Sequence, residues 1–187
     1  MKIAYAFTGS FCTHSNSLAV LEEFICKGYE VIPVFSPIVS TASTRFGTSE
    51  DLEKVVTELC GREVIKTIPQ AEEAITRGDI ACVAVCPCTG NTLAKIANGI
   101  TDTAVIMAVK AQLRNNRPVL LALATNDALG GNLKNIGLCN DKKNVFFVPM
   151  KQDDPYKKPT SLVCDFTRVY DALTEAVNKK QIQPLFL

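Results

Sequence analysis

The chain has 187 residues, of which 47% are hydrophobic and 21% are charged, and its 20 Lys and Arg residues against 19 Asp and Glu residues leave a net charge of +1. A chain of this length buries about 70% of the surface that it exposes when unfolded, so one complete hydrophobic core needs neither metals nor disulfides. The even charge balance argues against nucleic acid or an anionic membrane as the main partner, because both require a basic surplus.

No apolar run approaches the roughly 20 residues that span a bilayer. The amino-terminal segment also enters a turn too early for the apolar region of a signal peptide, so we expect a cytoplasmic protein. The eight cysteines are interpreted as reduced thiols that pack like small hydrophobic residues. A metal site at Cys82, Cys86 and Cys88 is disfavoured, because the sequence has no Cys-x-x-Cys pair and a single histidine.

Strand patterns and helix patterns alternate through the first half of the chain. Gly28 and Gly61 are expected to end two helices, and Ser49 is expected to cap the second of them. A polar stretch over residues 36–48 lies between the second strand and that helix. In chain order, the predicted elements are a strand at 2–7, a helix at 15–27, a strand at 30–35, a helix at 50–60 and a strand at 80–86. The last of these is almost wholly apolar, as is typical of a strand buried on both faces, and Pro87 is expected to end it.

The second half continues the alternation. A Gly- and Asn-rich segment extends to Asn140, and the run 151–159 is interpreted as a solvated loop or, alternatively, as a lid or a docking surface for a partner chain. The apolar ending, 184–187, is expected to pack on the body or on another subunit. The predicted elements are helices at 91–98 and 102–113, strands at 118–124 and 144–149, and a helix at 161–178.

This order of elements predicts an α/β fold of the Rossmann or flavodoxin-like type, a doubly wound and mostly parallel sheet in a single domain, 1–187. In such sheets ligands bind beyond the carboxyl ends of the strands. The residues that matter for function are therefore expected directly after Phe7, Phe35, Val85 and Ala124.

The segment after the first strand, residues 8–15 (TGSFCTHS), combines a glycine, several hydroxyls and the start of a helix. Backbone N–H groups at a helix start carry partial positive charge, so the segment is either an anion cradle or an ordinary capped turn. It matches neither the G-x-G-x-x-G pattern nor the Walker pattern, which disfavours a standard NAD or ATP site.

The segment after the third strand is richer in possible ligand contacts. Gly90 would let a ligand approach the backbone closely, and Thr89, Asn91 and Thr92 offer side-chain donors at the start of the next helix. A phosphate bound there would be held by neutral groups.

Residues 87–92 (PCTGNT) and 94–102 (AKIANGITD) resemble the P-x-S-A-N-T-x-A-K-I-A-N-G-I-A-D signature of the flavin mononucleotide (FMN)-binding flavoproteins. That family includes the cysteine decarboxylases of coenzyme A and lantibiotic synthesis. Residues 8–10 and 124–126 are similar to further elements of the family. The resemblance implies FMN as cofactor and places it against Gly9, Ser10, Phe11, Ser36, Pro37, Ile38, Cys88, Thr89, Gly90, Asn91, Thr92 and Ala124.

Four further segments, 44–47, 126–130, 147–159 and 181–184, resemble one branch of that family. Its members are subunits that act beside a nicotinamide-dependent dehydrogenase chain in the mother cell of a sporulating bacterium. The resemblance implies an oxidoreductase subunit that takes part in converting a cyclic dihydro precursor, a dicarboxylate, into an aromatic pyridine. It also implies a homo-oligomer, since the family commonly forms trimers or larger assemblies.

The sequence departs from the family at the place where the decarboxylases carry a histidine before the third strand. Residues 68–79 hold no histidine, and Thr125 replaces a family methionine. Without an imidazole there, the chain is predicted not to decarboxylate cysteine derivatives. A phosphopantothenoylcysteine decarboxylase-like enzyme and a non-catalytic companion subunit stay open as alternatives.

Several polar residues are candidates for catalysis or for binding the substrate. Asn126 follows a buried strand inside a matched segment and is the candidate catalytic residue. Arg45 is a candidate for gripping a carboxylate, with a solvated loop arginine as the alternative. His14 is either a substrate contact or a helix-entry residue with a local hydrogen bond. Lys95 is a further candidate for the carboxylate contact, but its place on an amphipathic helix favours a surface lysine.

Overall fold

The computed structural model describes residues 1–187 as one sheet with helices on both faces. Its strands are β1 (Lys2–Phe7), β2 (Glu30–Phe35), β3 (Cys82–Cys88), β4 (Val119–Thr125), β5 (Val145–Phe147), β6 (Met150–Asp154) and β7 (Lys158–Cys164). The order β2-β1-β3-β4-β5 is parallel throughout. The hairpin β6–β7 adds to the carboxyl end of β4 in antiparallel fashion.

Eight helices cover the two faces of the sheet. They are α1 (His14–Cys26), α2 (Pro37–Thr41), α3 (Ser49–Cys60), α4 (Ile68–Arg77), α5 (Gly90–Asn98), α6 (Ala104–Arg114), α7 (Leu133–Asn140) and α8 (Val169–Val177). One core joins α4, α5, α6 and α7 to one face, and a second core joins α1, α2, α3 and α8 to the other. The predicted doubly wound α/β fold is confirmed.

The strands are buried on both faces because their side chains alternate between the two cores. In β1, Ala4 and Ala6 belong to one core, whereas Ile3, Tyr5 and Phe7 belong to the other. A strand that lies between two helical layers needs apolar residues at every position, as the sequence of the parallel strands indicates.

The prediction that Pro87 ends the third strand is wrong, because β3 continues to Cys88. Proline cannot donate a hydrogen bond, and the pairing of β3 with β4 shifts register between Val85 and Cys88. The strand therefore carries its proline at an irregularity and extends two residues further toward the functional end of the sheet than predicted.

The prediction of a solvated loop at 151–159 is also wrong, since this run forms most of the β6–β7 hairpin. Asp154 closes the turn, where its Oδ1 accepts hydrogen bonds from the main-chain N–H groups of Tyr156 and Lys157 at 3.1 and 3.0 Å. The last helix begins at Val169 and not at residue 161, because residues 161–164 belong to β7 and pair with β6.

Several helix boundaries differ from the predicted ones. Thr48, not Ser49, caps α3, and its hydroxyl accepts a hydrogen bond from the N–H of Asp51 at 3.1 Å. The helix predicted at residue 102 begins at Ala104 behind an N-cap at Thr103. Three helices, α2, α4 and α7, lie in stretches for which the sequence pattern predicted neither a helix nor a strand.

The apolar carboxyl-terminal segment packs on the body, as one of the two expectations had it. The N–H of Met150 donates to the carbonyl of Leu185 at 2.9 Å, and the N–H of Leu187 donates to the carbonyl of Met150 at 3.0 Å. This segment therefore covers the outer edge of the hairpin. No helix of the chain has the length and apolar character required to cross a membrane.

Candidate functional site

The chain changes direction between β1 and β3, which is where a parallel sheet opens a crevice at its carboxyl end. From β1 it winds to β2 on one side, and it then returns to place β3 on the other side. The loops after the two strands diverge at such a switch point, and ligands bind between them. The segments that follow Phe7 and Cys88 are thus brought together.

Thr8 ties these two segments to each other. Its buried hydroxyl donates to the carbonyl of Pro87 at 2.7 Å and accepts a hydrogen bond from the N–H of Thr89 at 3.0 Å. The two partners lie about 80 positions away in the chain, so one side chain fixes the relative position of both loops. The residue is the first after β1, but nothing in the sequence singled it out from the other hydroxyls of the segment.

A cleft of about 1000 Å³ opens beside this junction and collects many of the predicted site residues. Its walls come from the loop after β1, the loop between α2 and α3, the end of β4 and the β6–β7 hairpin. Of the residues predicted from the sequence, those that line it are Gly9, Ser10, Phe11, Arg45, Thr89, Ala124 and Asn126.

The loop after β2 contacts the cleft's first loop from behind. A Cβ atom on Gly9 would lie 2.9 Å from Cγ2 of Ile38, so the glycine lets these two loops approach each other. Ser36 is 7% exposed, and its hydroxyl has no hydrogen-bond partner. A buried hydroxyl without a partner is uncommon, and it leaves a donor free at the end of β2. Pro37 begins the short helix α2 next to it.

The start of α5 offers neutral donors. Thr89 caps the helix, with its hydroxyl 3.3 Å from the N–H of Thr92 and 3.0 Å from the Thr92 hydroxyl. The first residues of a helix, here Gly90 and Asn91, have main-chain N–H groups without an intrahelical acceptor. These groups fit the phosphate of a nucleotide.

One acidic residue lies against the same helix start. A Cβ atom on Gly90 would lie 2.8 Å from Oδ1 of Asp127, and the Asp127 carboxylate accepts hydrogen bonds from Thr125 at 2.6 Å and Asn132 at 2.8 Å. The carboxylate balances part of the positive helix end, so an anion would bind on the Thr89 side. Asp127 was not among the residues predicted from the sequence, because its position depends on the path of the loop after β4.

Several predicted cofactor contacts do not line the cleft, namely Cys88, Ser36, Pro37, Ile38, Gly90, Asn91 and Thr92. Of these, Cys88 is the one that lies in the core. Its thiol is fully buried in the core between the sheet and α5, and it does not line the cleft. Burial raises the pKa of this thiol well above its usual value, and the nearby Cys139 raises it further. The Cys88 thiol is therefore not placed for a contact with a ligand in the cleft.

His14 makes the local hydrogen bond at the start of a helix that was one of the two interpretations of this residue. It is the first residue of α1, and its Nε2 lies 2.8 Å from the carbonyl of Thr8. Burial lowers its pKa, against a smaller opposing effect of that hydrogen bond. The ring borders a smaller pocket of about 260 Å³ beside Phe11 instead of the large cleft. A substrate contact by His14 stays a prediction.

Asn126 lies on the cleft wall with its main chain fixed to the hairpin. The hydroxyl of Thr160 donates to the carbonyl of Asn126 at 2.6 Å, and the hydroxyl of Ser161 lies 3.4 Å from its Oδ1. The residue lines the cleft, and its side-chain NH₂ group donates no hydrogen bond within the chain. An amide donor in this position suits a carbonyl or carboxylate of a bound molecule.

Most of the charged side chains that line the cleft, both basic and acidic, come from the β6–β7 hairpin. Lys158 pairs with Asp153, and Asp165 accepts hydrogen bonds from Thr167. Arg45, whose guanidinium lies 4.8 Å from the ring centre of Phe46, has no carboxylate partner, and neither has Lys151. Lys151 was not predicted from the sequence as a site residue, because its place on the cleft wall depends on the pairing of β6 with β7. Lys95 lies elsewhere, in an ion pair with Asp102.

In doubly wound sheets, nucleotide cofactors bind in the crevice at the switch point, which is where this cleft lies. The chain belongs to the flavoprotein family, whose family model matches residues 1–177.

Within that family, the chain is similar to the B subunit of dipicolinate synthase from Bacillus subtilis (strain 168). The two are 40% identical over 186 residues, which cover 100% of this chain and 93% of that one. The crystal structure of the dipicolinate synthase B subunit from Bacillus halodurans C is 33% identical, with a TM-score of 0.91 over 100% of this chain and 95% of the other. The FMN-dependent cysteine decarboxylase SpaF shares the fold, with a TM-score of 0.64, 16% identity and coverage of 94% and 95%.

Proposed function

We propose that this chain is the FMN-binding B subunit of a dipicolinate synthase. In this role it takes part in oxidising a dihydrodipicolinate-type precursor to dipicolinic acid during sporulation, in the cytoplasm of the mother cell. Its partner is the nicotinamide-dependent A chain, and its substrate is a small dicarboxylate. The full-length similarity to two B subunits supports the choice within the family.

One observation carries the proposal: a single cleft joins neutral donors at the strand ends to cations without a partner. The main-chain N–H groups at the start of α5, with the hydroxyls of Ser10 and Thr89, would hold the phosphate and ribityl end of FMN. The free Ser36 hydroxyl and the Gly9 contact with Ile38 would form the back of the site. When bound, FMN supplies a hydride acceptor.

The residues of this chain would then act by positioning the two partners. Ala124, near the end of β4, has a small side chain that would leave room for the flavin ring, and Asn126 near it would donate a hydrogen bond from its NH₂ group. Arg45 would hold a carboxylate of the substrate through its guanidinium, which is suited to bidentate contacts. Aromatisation removes a hydride and a proton, and the proton would pass to solvent water because no histidine lines the cleft.

The cofactor part of the proposal is tested by titrating the purified protein with FMN and following the change in flavin absorbance and fluorescence. Ser10 lies in the cleft, and its side chain makes no capping hydrogen bond. Ser10→Ala is therefore expected to weaken FMN binding by a factor of about 3 to 10, the value of one hydrogen bond, without changing the thermal midpoint.

Ser43→Ala is the matched control, because Ser43 is exposed and lies outside the cleft. It should bind FMN like the unaltered protein. A protein that binds no FMN at all would exclude the flavin site and favour the companion subunit that has kept the fold without the cofactor. Reconstitution with the A chain, followed by an assay of dipicolinate formation, then separates a catalytic from a companion role.

A further inference from the structure

The β6–β7 hairpin continues the sheet surface on which Ala124 lies. Ala124 of β4 pairs with Val163 of β7, and Val163 pairs in turn with Lys151 of β6. Residues directly opposite each other in neighbouring strands point to the same face. Ala124, Val163 and Lys151 therefore form one row, and strand spacing puts the Cα atom of Lys151 about 10 Å from that of Ala124.

Lys151 is exposed on this face, and its ammonium group has no acceptor in the chain. The neighbouring cation, Lys158, differs, because it pairs with Asp153. On the same side of the hairpin, the hydroxyl of Ser161 contacts the side chain of Asn126. The hairpin thus carries the unpaired ammonium group of Lys151 and contacts the side-chain amide of Asn126 on the same wall of the cleft.

Arg45 is the second uncompensated cation of the cleft and comes from a different segment, the loop between α2 and α3. Two cations that lie on separate segments and line the same cleft match a molecule with two carboxylates. A molecule with a single carboxylate would use only one of them.

We propose that Lys151 is a specificity-determining residue that binds the second carboxylate of a dicarboxylate whose first carboxylate is held by Arg45. This inference rests on the proposed function and deepens it, since it assigns the preference for a dicarboxylate to one residue of the hairpin. Lys151 is the one hairpin cation that lines the cleft without a carboxylate partner, because Lys158 pairs with Asp153.

The test compares pyridine-2,6-dicarboxylate with pyridine-2-carboxylate as probes, by calorimetry on the FMN-loaded protein in buffer free of divalent cations. The unaltered protein is expected to bind the dicarboxylate at least about tenfold more tightly, since it makes one more charge-assisted contact. Lys151→Gln should remove this preference and bring the two affinities to within about twofold. Lys151→Arg should keep it.

Lys157→Gln is the matched control, because it removes the same charge from the exposed hairpin turn outside the cleft. It should keep the full preference. A Lys151→Gln protein that keeps the preference would overturn the assignment of Lys151 while leaving the proposed function in place. An unaltered protein that binds FMN but neither probe would overturn it as well, and failure to bind FMN would overturn the proposed function itself.

Discussion

The two sides of the cleft are built on opposite principles. At the base, where β1 and β3 end, the groups are neutral and buried, and they are tied by hydrogen bonds such as those of Thr8. At the hairpin, the groups are charged and exposed, and Lys151 has no partner within the chain. Under the proposed function, the hydrogen-bonded side would fix the cofactor and the exposed, charged side would contact the substrate.

The largest effect is expected from breaking the hydrogen-bonded side at Thr8. Thr8→Val keeps the shape of the side chain but leaves the carbonyl of Pro87 and the N–H of Thr89 without their partner. Each group left without a partner costs about 1–3 kcal/mol, so the free energy of unfolding should fall by about 2–6 kcal/mol. Urea denaturation measures this change.

Thr8→Ser keeps the hydroxyl and is the control, which should lose less than about 1.5 kcal/mol for the missing methyl group. FMN affinity should fall in Thr8→Val and hold in Thr8→Ser, because the same bonds set the spacing of the two loops. Equal stability of Thr8→Val and the unaltered protein would show that the base of the cleft is not held by this side chain.

A smaller effect is expected at the junction between the two sides. In Gly90→Ala, the new Cβ atom would lie 2.5 Å from the side-chain nitrogen of Asn132 and 2.6 Å from the hydroxyl of Thr125. These hydrogen-bonded side chains must then move, at a cost of about 1–3 kcal/mol, typical of overpacking. The denaturation midpoint in urea reports this loss.

Gly137→Ala is the control for the junction, because Gly137 lies within α7 with open space around the position of a Cβ atom. Replacing a glycine inside a helix by alanine should raise the stability by about 0.5–1 kcal/mol. If Gly90→Ala were stabilising to the same extent, the close contact between the start of α5 and the loop after β4 would be contradicted.

The smallest effect is a dependence of stability on pH through His14. Burial lowers the pKa of His14 in the folded protein, so the unfolded chain binds the proton more tightly. Stability is therefore complete above the unfolded pKa of about 6.5 and decreases as the pH falls through it toward the folded value. Denaturation at a series of pH values between about 5 and 7 measures the slope.

His14→Gln removes the titrating group and should flatten the curve over that range. The slope can be assigned to one residue because His14 is the single histidine of the chain. An unchanged slope in His14→Gln would mean that the pH dependence has another origin.

The parallel part of the fold could be predicted closely, because its residues follow local rules. The predicted bounds of β1 and β2, at 2–7 and 30–35, agree with the structure, since continuous apolar runs between helix patterns indicate buried strands. Glycine at 61 also marked the end of α3, where the backbone adopts the left-handed conformation that glycine favours.

The hairpin could not be predicted in the same way. Residues 151–154 are exposed or half-buried, and their charges gave no apolar pattern from which a strand could be predicted. They are extended because β7 pairs with them and with the end of β4, which are contacts between distant parts of the chain. The role of such a segment is decided by its partner strands rather than by its composition.

The sequence by itself determined the fold class, the flavoprotein signature and most of the residues around the switch point. Apolar periodicity and a long motif are properties of short sequence segments, so both can be recognised without knowing which segments pack together. Only the tertiary structure decided that Cys88 faces the core, that Thr8 joins two loops and that Lys151 shares a row with Ala124. Each of these depends on the pairing of strands that are distant in the sequence, and no single segment determines such a pairing.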